Sequence, residues 1–362
     1  MSLNRKKLAL ITFPLSLLYG AVIFIRNLLF DKGFLKQRSF PLPVISVGNI
    51  TAGGTGKTPH VEYLVKLLEK EYRIAVLSRG YKRKTSGFIL ASPASGVDEI
   101  GDEPKQIKDK FPEVQVAVSE KRVAGVECLL KAIPCPDVIL LDDAFQHRHI
   151  RPSLSILLVD YYRPVFSDFI LPFGNLREHK HQAKRANIII VTKTPRETNV
   201  VEQEKIIAKL NIRPYQTVYF TTFSYGKPVA VFSENIVTID NELLKSSHTG
   251  IILVTGIANP GPLLEYLTNM NSKVLSLSFP DHHAFTLKDI AGIKNELEKL
   301  TTKHKIVITT EKDAVRLRKL PGFNGTLRNC FYYIPVEVEF LVNASEDFKR
   351  QLKSFLVKNS GK

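Results

Sequence analysis

The chain has 362 residues, enough for one large or two ordinary domains, and its 44% hydrophobic and 24% charged residues are typical of a globular protein with a packed core. A formal net charge of +16 predicts an anionic partner, which could be nucleic acid, anionic lipid headgroups or a phosphorylated substrate. The three cysteines show no CxxC spacing, so they give no support for a zinc site or a disulfide framework.

An uncharged apolar run, residues 8–25, lies between basic residues at the N-terminus. As a helix it would span about 27 Å, slightly less than a hydrocarbon core. A signal peptide, a spanning helix, an interfacial helix and a buried core helix are the alternatives. No small-residue cleavage site follows, and Pro14, Ser16 and Tyr19 weaken a full span. We expect residues 1–32 to form a membrane-associated helix that either spans or lies on the bilayer, with basic neighbours facing anionic phospholipids.

Residues 33–215 alternate between apolar strands and amphipathic helices. Continuous apolar strands are typical of a parallel sheet that is covered on both faces. The predicted fold is therefore α/β, a P-loop doubly wound and mostly parallel sheet. The strand candidates are PVISVGN, IAVLSRG, VQVAVS, DVILLDD, LSILLVD and NIIIVTKT.

The stretch GNITAGGTGKTPH, residues 48–60, has the composition of a phosphate-binding loop. Glycines let backbone N–H groups surround phosphate oxygens, a lysine reaches the β- and γ-phosphates, and a hydroxyl contacts Mg²⁺. The GxxxxGK pattern would place glycine at 51, where this chain has threonine. The predicted nucleotide-binding residues are Thr51, Ala52, Gly53, Gly54, Thr55, Gly56, Lys57 and Thr58.

Two aspartates, Asp142 and Asp143, follow an apolar strand, where a phosphate-binding loop needs an acidic partner. One carboxylate can hold the Mg²⁺ shell, and a second can position or activate a nucleophile. We predict Thr58 as a metal contact, and Asp142 and Asp143 as an acidic pair of which one contacts the metal and the other acts in catalysis. The stretch VTKTP lacks the aspartate of a guanine-reading NKxD motif, which favours ATP over GTP.

Two further motifs place titratable groups where they could act on a proton. In GDEPKQI, Asp102 and Glu103 lie in a predicted stiff loop and could supply a general base or a metal contact. In FPDHH, an aspartate precedes His282 and His283, a pattern that suits an imidazole base oriented by a carboxylate. A metal site at these histidines lacks an obvious third ligand.

Three stretches rich in basic residues, SRGYKRK, QHRHIR and GNLREHKH, follow strands or turns near the expected nucleotide. Such side chains could stabilise a transferring phosphoryl group or hold an anionic substrate. Regularly spaced stacking aromatics are missing, so nucleic acid is not the predicted partner.

Residues 216–362 repeat the α/β rhythm and predict a second, smaller lobe. Residues 217–233 could be paired strands that link the two lobes. The C-terminal stretch SEDFKRQLKSFLVK is an amphipathic helix whose apolar face includes Phe348 and Leu352.

The motifs together resemble one family, tetraacyldisaccharide 4'-kinase, the lipid A 4'-kinase of Gram-negative bacteria. The resemblance extends over residues 47–317 and rests on the order of its motifs. They are VGNITAGGTGKTPH, LSRGYKRK, GDEPKQI, LLDDAFQHR, LPFGNLRE, TGIANP, FPDHHAF and TEKDAVRL.

The resemblance implies ATP- and Mg²⁺-dependent phosphorylation of the 4'-hydroxyl of tetraacyldisaccharide 1-phosphate, forming lipid IVA at the cytoplasmic face of the inner membrane. It implies that Asp102 is the catalytic carboxylate, paired with His282 or His283 from the other lobe. Arg177 would be a catalytic arginine that stabilises phosphate charge, with Glu178 in support as a substrate contact. The resemblance also makes Asp142 a metal contact, Asp143 a catalytic residue, and Arg79, Tyr81, Gln146 and His147 candidates for contact with substrate or nucleotide. No feature of the sequence indicates an obligate protein partner.

The main rival interpretation is a membrane-associated P-loop ATPase switch of the MinD/ParA sort, whose loop also contains GGxGKT. Such switches carry a lysine directly before the paired glycines, where this chain has Ala52. A second rival, a non-catalytic lipid-binding protein with a vestigial loop, does not explain why Lys57 and Thr58 are intact.

Overall fold

The structure, a computed structural model, describes residues 2–232, 239–323, 325–341 and 344–359, and of residues 2–11, 326 and 359 it describes the backbone alone. The strands are β1 Val44–Gly48, β2 Ile74–Ser78, β3 Ile89–Leu90, β4 Gln115–Val118, β5 Val138–Asp142, β6 Leu154–Asp160, β7 Ile188–Thr192, β8 Thr217–Tyr225, β9 Val229–Ala230, β10 Thr249–Thr255, β11 Val274–Ser278, β12 His304–Thr310, β13 Phe331–Ile334 and β14 Val336–Phe340. The α-helices are α1 Ser2–Asp31, α2 Lys57–Leu68, α3 Val97–Ile100, α4 Asp102–Lys110, α5 Arg122–Leu130, α6 Val200–Leu210, α7 Asn241–Lys245, α8 Gly261–Met270, α9 Leu287–Lys299, α10 Glu311–Leu317, α11 Gly325–Arg328 and α12 Ser345–Asn359. Short 3₁₀ helices cover Val165–Ser167 and Lys180–Arg185.

The chain divides into two compact units whose borders differ from the predicted 33–215 and 216–362. The first unit comprises Met1–Ser95, Ile107–Phe223 and Val338–Lys362, and the second comprises Gly96–Gln106 and Ser224–Glu337. Helix α12 thus belongs to the first unit. Asp102 belongs to the second, with both histidines of the FPDHH motif, so the expectation that the aspartate and the histidine come from different lobes is wrong for this structure.

The first unit is built on a nine-stranded sheet with the order β14-β8-β7-β6-β1-β5-β2-β4-β3. Neighbouring strands from β8 to β4 pair in parallel, and β3 is antiparallel to β4. Every residue of β1, β2, β5, β6 and β7 is buried, as expected when helices cover both faces of a parallel sheet. The predicted α/β class is confirmed.

The second unit contains a five-stranded sheet with the order β11-β10-β12-β13-β9. Because side chains alternate along a strand, β10 contributes to two cores on opposite faces. Ile252 and Val254 pack with Ile293 of α9, whereas Ile251 and Leu253 pack with Leu267 of α8. Strands β10 to β13 run in parallel, and β9 is antiparallel to β13.

Two local predictions are wrong. The described part of the predicted strand pair, residues 217–232, does not form one, because β8 joins the nine-stranded sheet and β9 joins the five-stranded sheet. Ser233 lies outside the described residues. The GDEPKQI stretch is not a loop, because α4 begins at Asp102. Pro104 is tolerated there since the first turn of a helix needs no backbone donor, and the two acids favour a helix N-terminus.

Helix α1 extends the predicted apolar segment in both directions. Its residues Thr12–Asp31 are long and apolar enough to cross a membrane by length and composition. Asn27 and Phe30 are buried against the rest of the first unit, while most other side chains from Phe13 to Leu29 are exposed. The side chains of the basic residues Arg5, Lys6 and Lys7 lie outside the described part of the chain.

Candidate active site

The phosphate-binding loop runs from the end of β1 to the start of α2. Gly56 has a left-handed backbone (φ 82°, ψ 29°) immediately before the helix, and an added Cβ would overlap the ring of Phe223. Asn49 donates to the Thr55 hydroxyl over 2.7 Å, and the Thr192 hydroxyl donates to the Thr55 carbonyl over 3.0 Å. These bonds hold the loop at the N-terminus of α2, where backbone N–H groups favour a bound phosphate.

The start of the loop is anchored rather than free to meet a nucleotide. Thr51, which stands where the GxxxxGK pattern has glycine, is buried and forms an antiparallel bridge with Leu176. The Ala52 N–H donates to the carbonyl of Asn175 over 2.7 Å. Both remain predicted nucleotide-binding residues, but their backbones already pair with the segment that precedes Arg177. Gly53 and Gly54 are exposed.

Lys57, Asp143 and Arg177 form one charged group beside the loop. The Lys57 Nζ lies 3.6 Å from Asp143 Oδ1, and Arg177 donates to both Asp143 oxygens over 3.1 Å. Burial opposes the charge of Asp143, but the two cations outweigh burial and hold its pKa below the ordinary value. The group is therefore poised to exchange a carboxylate contact for phosphate oxygens.

Asp142 ends β5 beside the phosphate loop, because it pairs in register with Val47 of β1. It is buried, and Ser78 donates to its Oδ2 over 3.3 Å. Thr58, the second residue of α2, supplies a hydroxyl at the same end of the sheet. Mg²⁺ is usually bound by one or two carboxylates together with hydroxyl, water and substrate phosphate oxygens, so the chemistry of these donors fits it.

The other predicted contacts of the first unit have structural partners. Glu178 is buried and pairs with Arg185 over 2.5 Å. Gln146 donates to the carbonyl of Asn49 over 2.8 Å. Burial, with help from Arg122 and Arg79, lowers the pKa of His147 to about 4, so this imidazole is neutral at neutral pH. Contact of these residues with substrate stays a prediction.

Arg79 and Tyr81 follow β2 and are both exposed. Arg79 adds positive charge near Arg122 and His147, since its field lowers the pKa of each. The exposed Arg79 guanidinium is accessible to an anionic substrate, so its position is compatible with the predicted substrate contact.

In the second unit, Asp102 and His282 form a hydrogen-bonded pair. His282 Nδ1 lies 3.1 Å from Asp102 Oδ2, and the Arg316 guanidinium pairs with the same oxygen. Burial raises the pKa of Asp102, but Arg316, His282 and Lys312 together bring it below its ordinary value. Asp102 is therefore an ionised carboxylate held against an imidazole.

The His282 ring is oriented from its backbone and from its other nitrogen. The residue adopts a left-handed backbone (φ 61°), and its N–H donates to the carbonyl of Gly256 over 3.0 Å. Lys312 Nζ lies 3.1 Å from Nε2. The Arg316 guanidinium lies 3.1 Å from Nδ1, so a cation that can only donate faces each nitrogen of the ring.

The neighbouring histidine has a different partner. His283 Nε2 lies 3.0 Å from Asp289, the residue that completes the capping box of α9 with Thr286. Its ring stacks on Phe279 with centroids 4.7 Å apart. The structure thus brings His282, and not His283, to Asp102.

Four side chains at the end of β12 and in α10 support the pair and were missed by the sequence reasoning, namely Thr310, Lys312, Asp313 and Arg316. Asp313 is fully buried and accepts from the Gly256 N–H over 2.9 Å, the Thr310 hydroxyl over 2.7 Å and Arg316 over 2.9 Å. Burial raises the pKa of Asp313 in spite of these donors. The i, i+3 spacing of Asp313 and Arg316 in TEKDAVRL was the available signal.

Lys312 also explains the position of Glu103. Its Nζ lies 3.0 Å from the Glu103 carboxylate, within the second unit. Within the described ranges, no three His, Cys, Asp or Glu side chains are grouped so that they could hold a metal ion. A metal contact for Glu103 stays a prediction.

Comparison with known proteins gives a match over nearly the whole chain. Residues 8–357 match the family described as tetraacyldisaccharide-1-P 4'-kinase. A tetraacyldisaccharide 4'-kinase of Bacteroides thetaiotaomicron is 48% identical over 96% of this chain and 93% of its own length. One of Phocaeicola vulgatus is 46% identical over 96% and 95%.

A solved structure has a similar fold. LpxK from Aquifex aeolicus, crystallised in complex with ATP, is 30% identical and superposes with a TM-score of 0.74, covering 98% of this chain and 99% of its own.

Proposed function

Because the chain belongs to the tetraacyldisaccharide-1-P 4'-kinase family, we propose that it transfers the γ-phosphoryl group of ATP to the 4'-hydroxyl of an acylated glucosamine disaccharide 1-phosphate. The Asp102–His282 pair is the observation that carries the proposal. Many protein classes share a phosphate-binding loop, but a kinase for a hydroxyl acceptor also needs a group that takes the hydroxyl proton. The products are ADP and the bisphosphorylated lipid, lipid IVA.

The residues around the phosphate loop bind and orient ATP. Lys57 and Arg177 are cations that can reach γ-phosphoryl oxygens, and their present partner, Asp143, keeps them aligned. The related protein of Aquifex aeolicus was crystallised with ATP, which supports ATP as the donor. Positioning and electrostatic stabilisation supply most of the catalysis in phosphoryl transfer.

Mg²⁺ would be held by Thr58 and Asp142 together with phosphate oxygens of ATP. When bound, it supplies positive charge that stabilises the transferring phosphoryl group. The residues themselves fix its place, because Asp142 ends a buried strand and Thr58 lies in the first turn of α2.

The acceptor step uses Asp102 as a base. The 4'-oxygen forms a bond to the γ-phosphorus, the bond from that phosphorus to the β–γ bridging oxygen breaks, and the hydroxyl proton moves to the carboxylate of Asp102. His282 orients the carboxylate through Nδ1, and Lys312 holds the ring at Nε2. Asp102 is ready for this role because its lowered pKa keeps it ionised at neutral pH.

The lipid substrate also accounts for α1. Its apolar residues Thr12–Asp31 would attach the enzyme to the bilayer that contains the substrate, at the cytoplasmic face of the inner membrane where ATP is available. Basic residues around the helix would contact anionic phospholipids and the 1-phosphate of the substrate.

The test is phosphoryl transfer from labelled ATP with Mg²⁺ to tetraacylated disaccharide 1-phosphate in detergent micelles. We expect Lys57→Ala, Asp102→Asn and His282→Ala each to lower kcat by about 10²-fold or more. His283→Ala is the matched control, because its ring contacts Asp289, and we expect it to retain most turnover. Hydrolysis of ATP that ignores the lipid would indicate an ATPase switch instead.

A further inference from the structure

A short apolar loop, Asp168–Gly174, packs beside helix α1. The hydroxyl of Ser16 donates to the carbonyl of Ile170 over 2.7 Å. The rings of Phe13 and Phe173 meet edge to face with centroids 5.5 Å apart. Helix and loop, both in the first unit, are therefore parts of one surface.

This surface exposes large apolar side chains on both the loop and the helix. On the loop, Phe169 is 62% exposed and lies 5.2 Å from the ring of Phe173, which is 38% exposed. On the helix, Leu17, Leu18 and Phe24 are each more than 60% exposed. We call this the apolar surface, and its members are Phe13, Leu15, Leu17, Leu18, Val22, Phe24, Ile25, Phe169 and Phe173.

The loop presents its aromatic rings on an ordered backbone. Asp168 Oδ1 accepts from the N–H groups of Phe169 and Asn175, over 2.8 and 3.2 Å. The Leu171 N–H donates to the Leu176 carbonyl, and the Gly174 N–H donates to the Ile170 carbonyl. A segment that enters a bilayer must satisfy its backbone groups internally, and this loop does so at these positions.

Basic residues next to α1 complement anionic lipid, and the one carboxylate within the loop, Asp168, accepts hydrogen bonds from the N–H groups of Phe169 and Asn175 and from the Asn175 side chain. The first acidic residue of the chain is Asp31, and it pairs with Arg148 over 2.6 Å and with Lys184 over 3.6 Å. The exposed residues Lys32 and Lys36 follow directly after the helix. Basic side chains next to an apolar surface attract a bilayer that contains acidic phospholipids.

We infer that the loop Asp168–Gly174 is a second membrane-inserting element, which places Phe169 and Phe173 among the lipids of an anionic bilayer beside α1. The inference rests on the proposed function only in that the enzyme works at a membrane. It adds a second attachment point, and two points fix the tilt of the first unit on the bilayer where α1 alone would not. Arg177 follows the loop by three residues, so insertion also sets the height of the charged group above the lipid.

The absence of tryptophan from the chain allows a direct test. In a Phe169→Trp variant, the indole is the sole tryptophan, and its emission reports its surroundings. On addition of vesicles of phosphatidylglycerol and phosphatidylcholine we expect a blue shift and quenching by brominated lipid. Val200→Trp, at an exposed apolar position on α6 of the same unit, is the matched control. Its emission should remain that of a solvent-exposed indole when vesicles are added.

A partition measurement gives the magnitude. We expect the double variant Phe169→Ser, Phe173→Ser to bind these vesicles about tenfold or more weakly, because it lacks the two aromatic rings whose transfer from water to lipid favours binding. The control pair Val200→Ser and Val201→Ser should bind as the unmodified protein does.

Three outcomes would overturn the inference. The protein could bind vesicles while the Phe169→Trp indole keeps the emission of a solvent-exposed side chain, which would leave α1 as the only attachment among the two elements. The indole could shift with protein concentration and without vesicles, which would mean that a second copy of the chain covers the surface. No binding to vesicles at all would refute insertion of either element. Phosphoryl transfer in micelles is measured separately, so its failure would count against the proposed function alone.

Discussion

Arg316 is the residue on which the charge of Asp102 depends. Asp102 is buried, and burial alone would raise its pKa. The guanidinium touches both Asp102 and Asp313, and its own side chain is only 8% exposed. One cation therefore keeps one buried carboxylate ionised and holds another in place.

We expect Arg316→Gln to raise the pKa of Asp102, because burial then outweighs the remaining donors. The acid limb of the kcat/KM profile should move to higher pH, and kcat/KM at pH 7 should fall at least about tenfold. Arg316→Lys restores a cation and should move the limb back. A profile of unchanged shape with a uniformly lower rate would show that Arg316 acts on structure alone.

The same substitution gives a prediction for stability. In the unmodified protein the folded-state pKa of Asp102 is depressed, so its contribution is present above the unfolded value of about 4 and is lost as pH falls through the lower folded value. Arg316→Gln removes the cation that two buried carboxylates share and should cost about 3 kcal/mol at pH 7. Urea unfolding should show this difference shrinking as the pH falls towards 4, and a constant difference would contradict the assignment.

Gly56 and Gly54 lie two residues apart in the phosphate loop but differ in what they tolerate. Gly56 has φ 82° and no room for a Cβ beside Phe223, whereas an added Cβ at Gly54 meets nothing within 4 Å. We expect Gly56→Ala to weaken ATP binding more than tenfold and to lower the free energy of unfolding by about 1–3 kcal/mol. Gly54→Ala should have the same melting temperature as the unmodified protein. Equal melting temperatures for the two variants would be evidence against backbone strain at Gly56.

At the scale of the element, helix α1 has an anchored end and an exposed stretch. Arg148 donates to the carbonyl of Asn27 over 2.9 Å, pairs with Asp31 and lies 5.0 Å from the centre of the Phe30 ring. The apolar run could be read from the sequence, because composition alone marks it. Its anchor could not, because Arg148 is 121 residues from Asn27 along the chain.

We expect Arg148→Ala to release the last turns of α1, because Asp31 and the Asn27 carbonyl lose a buried donor. The free energy of unfolding should fall by about 2–4 kcal/mol, and amide exchange should accelerate over residues 26–31. Arg151→Ala, at an exposed arginine nearby in sequence, should change neither quantity. Unaltered exchange in the Arg148 variant would mean that Phe30 and Asn27 suffice as anchors.

At the scale of the whole molecule, the C-terminal helix α12 completes the first unit. Phe348 is buried, packs against Phe340 with ring centroids 4.7 Å apart, and also contacts Tyr219. Its amphipathic pattern was readable, but the sheet it covers was not. Order along the chain assigned it to the second lobe, and only packing assigns it to the first.

We expect Phe348→Ala to destabilise the first unit by about 3–5 kcal/mol, because it leaves a cavity under α12. Hydrogen exchange should accelerate in α2 and β8, while β10, β12 and β13 keep their protection. Val357→Ala, at an exposed position of the same helix, is the matched control. Faster exchange in the second unit would place α12 differently.

The charge of +16 acts on the molecule as a whole. Salt screens the long-range attraction between exposed charges. The affinity for anionic vesicles should therefore fall several-fold when the salt concentration rises from about 0.05 M to about 0.5 M. Binding to uncharged detergent micelles should stay constant. Equal salt dependence on both surfaces would show that the net charge does not direct binding.

The sequence by itself determined the elements that depend on local pattern. Apolar runs predict buried parallel strands, glycines followed by Lys57 and Thr58 predict the phosphate loop, and the order of motifs identifies the family. Each of these signals lies within a few neighbouring residues, so no knowledge of distant contacts was needed.

Only the tertiary structure decided which side chains meet. In the folded chain His282 contacts Asp102, 180 residues away in sequence, whereas His283 contacts Asp289, six residues away. It also recruited Arg316, which lies 214 residues from Asp102. The chemistry of a residue type follows from the sequence, but its charge state and its partners follow from burial and from the distances that packing within each unit imposes.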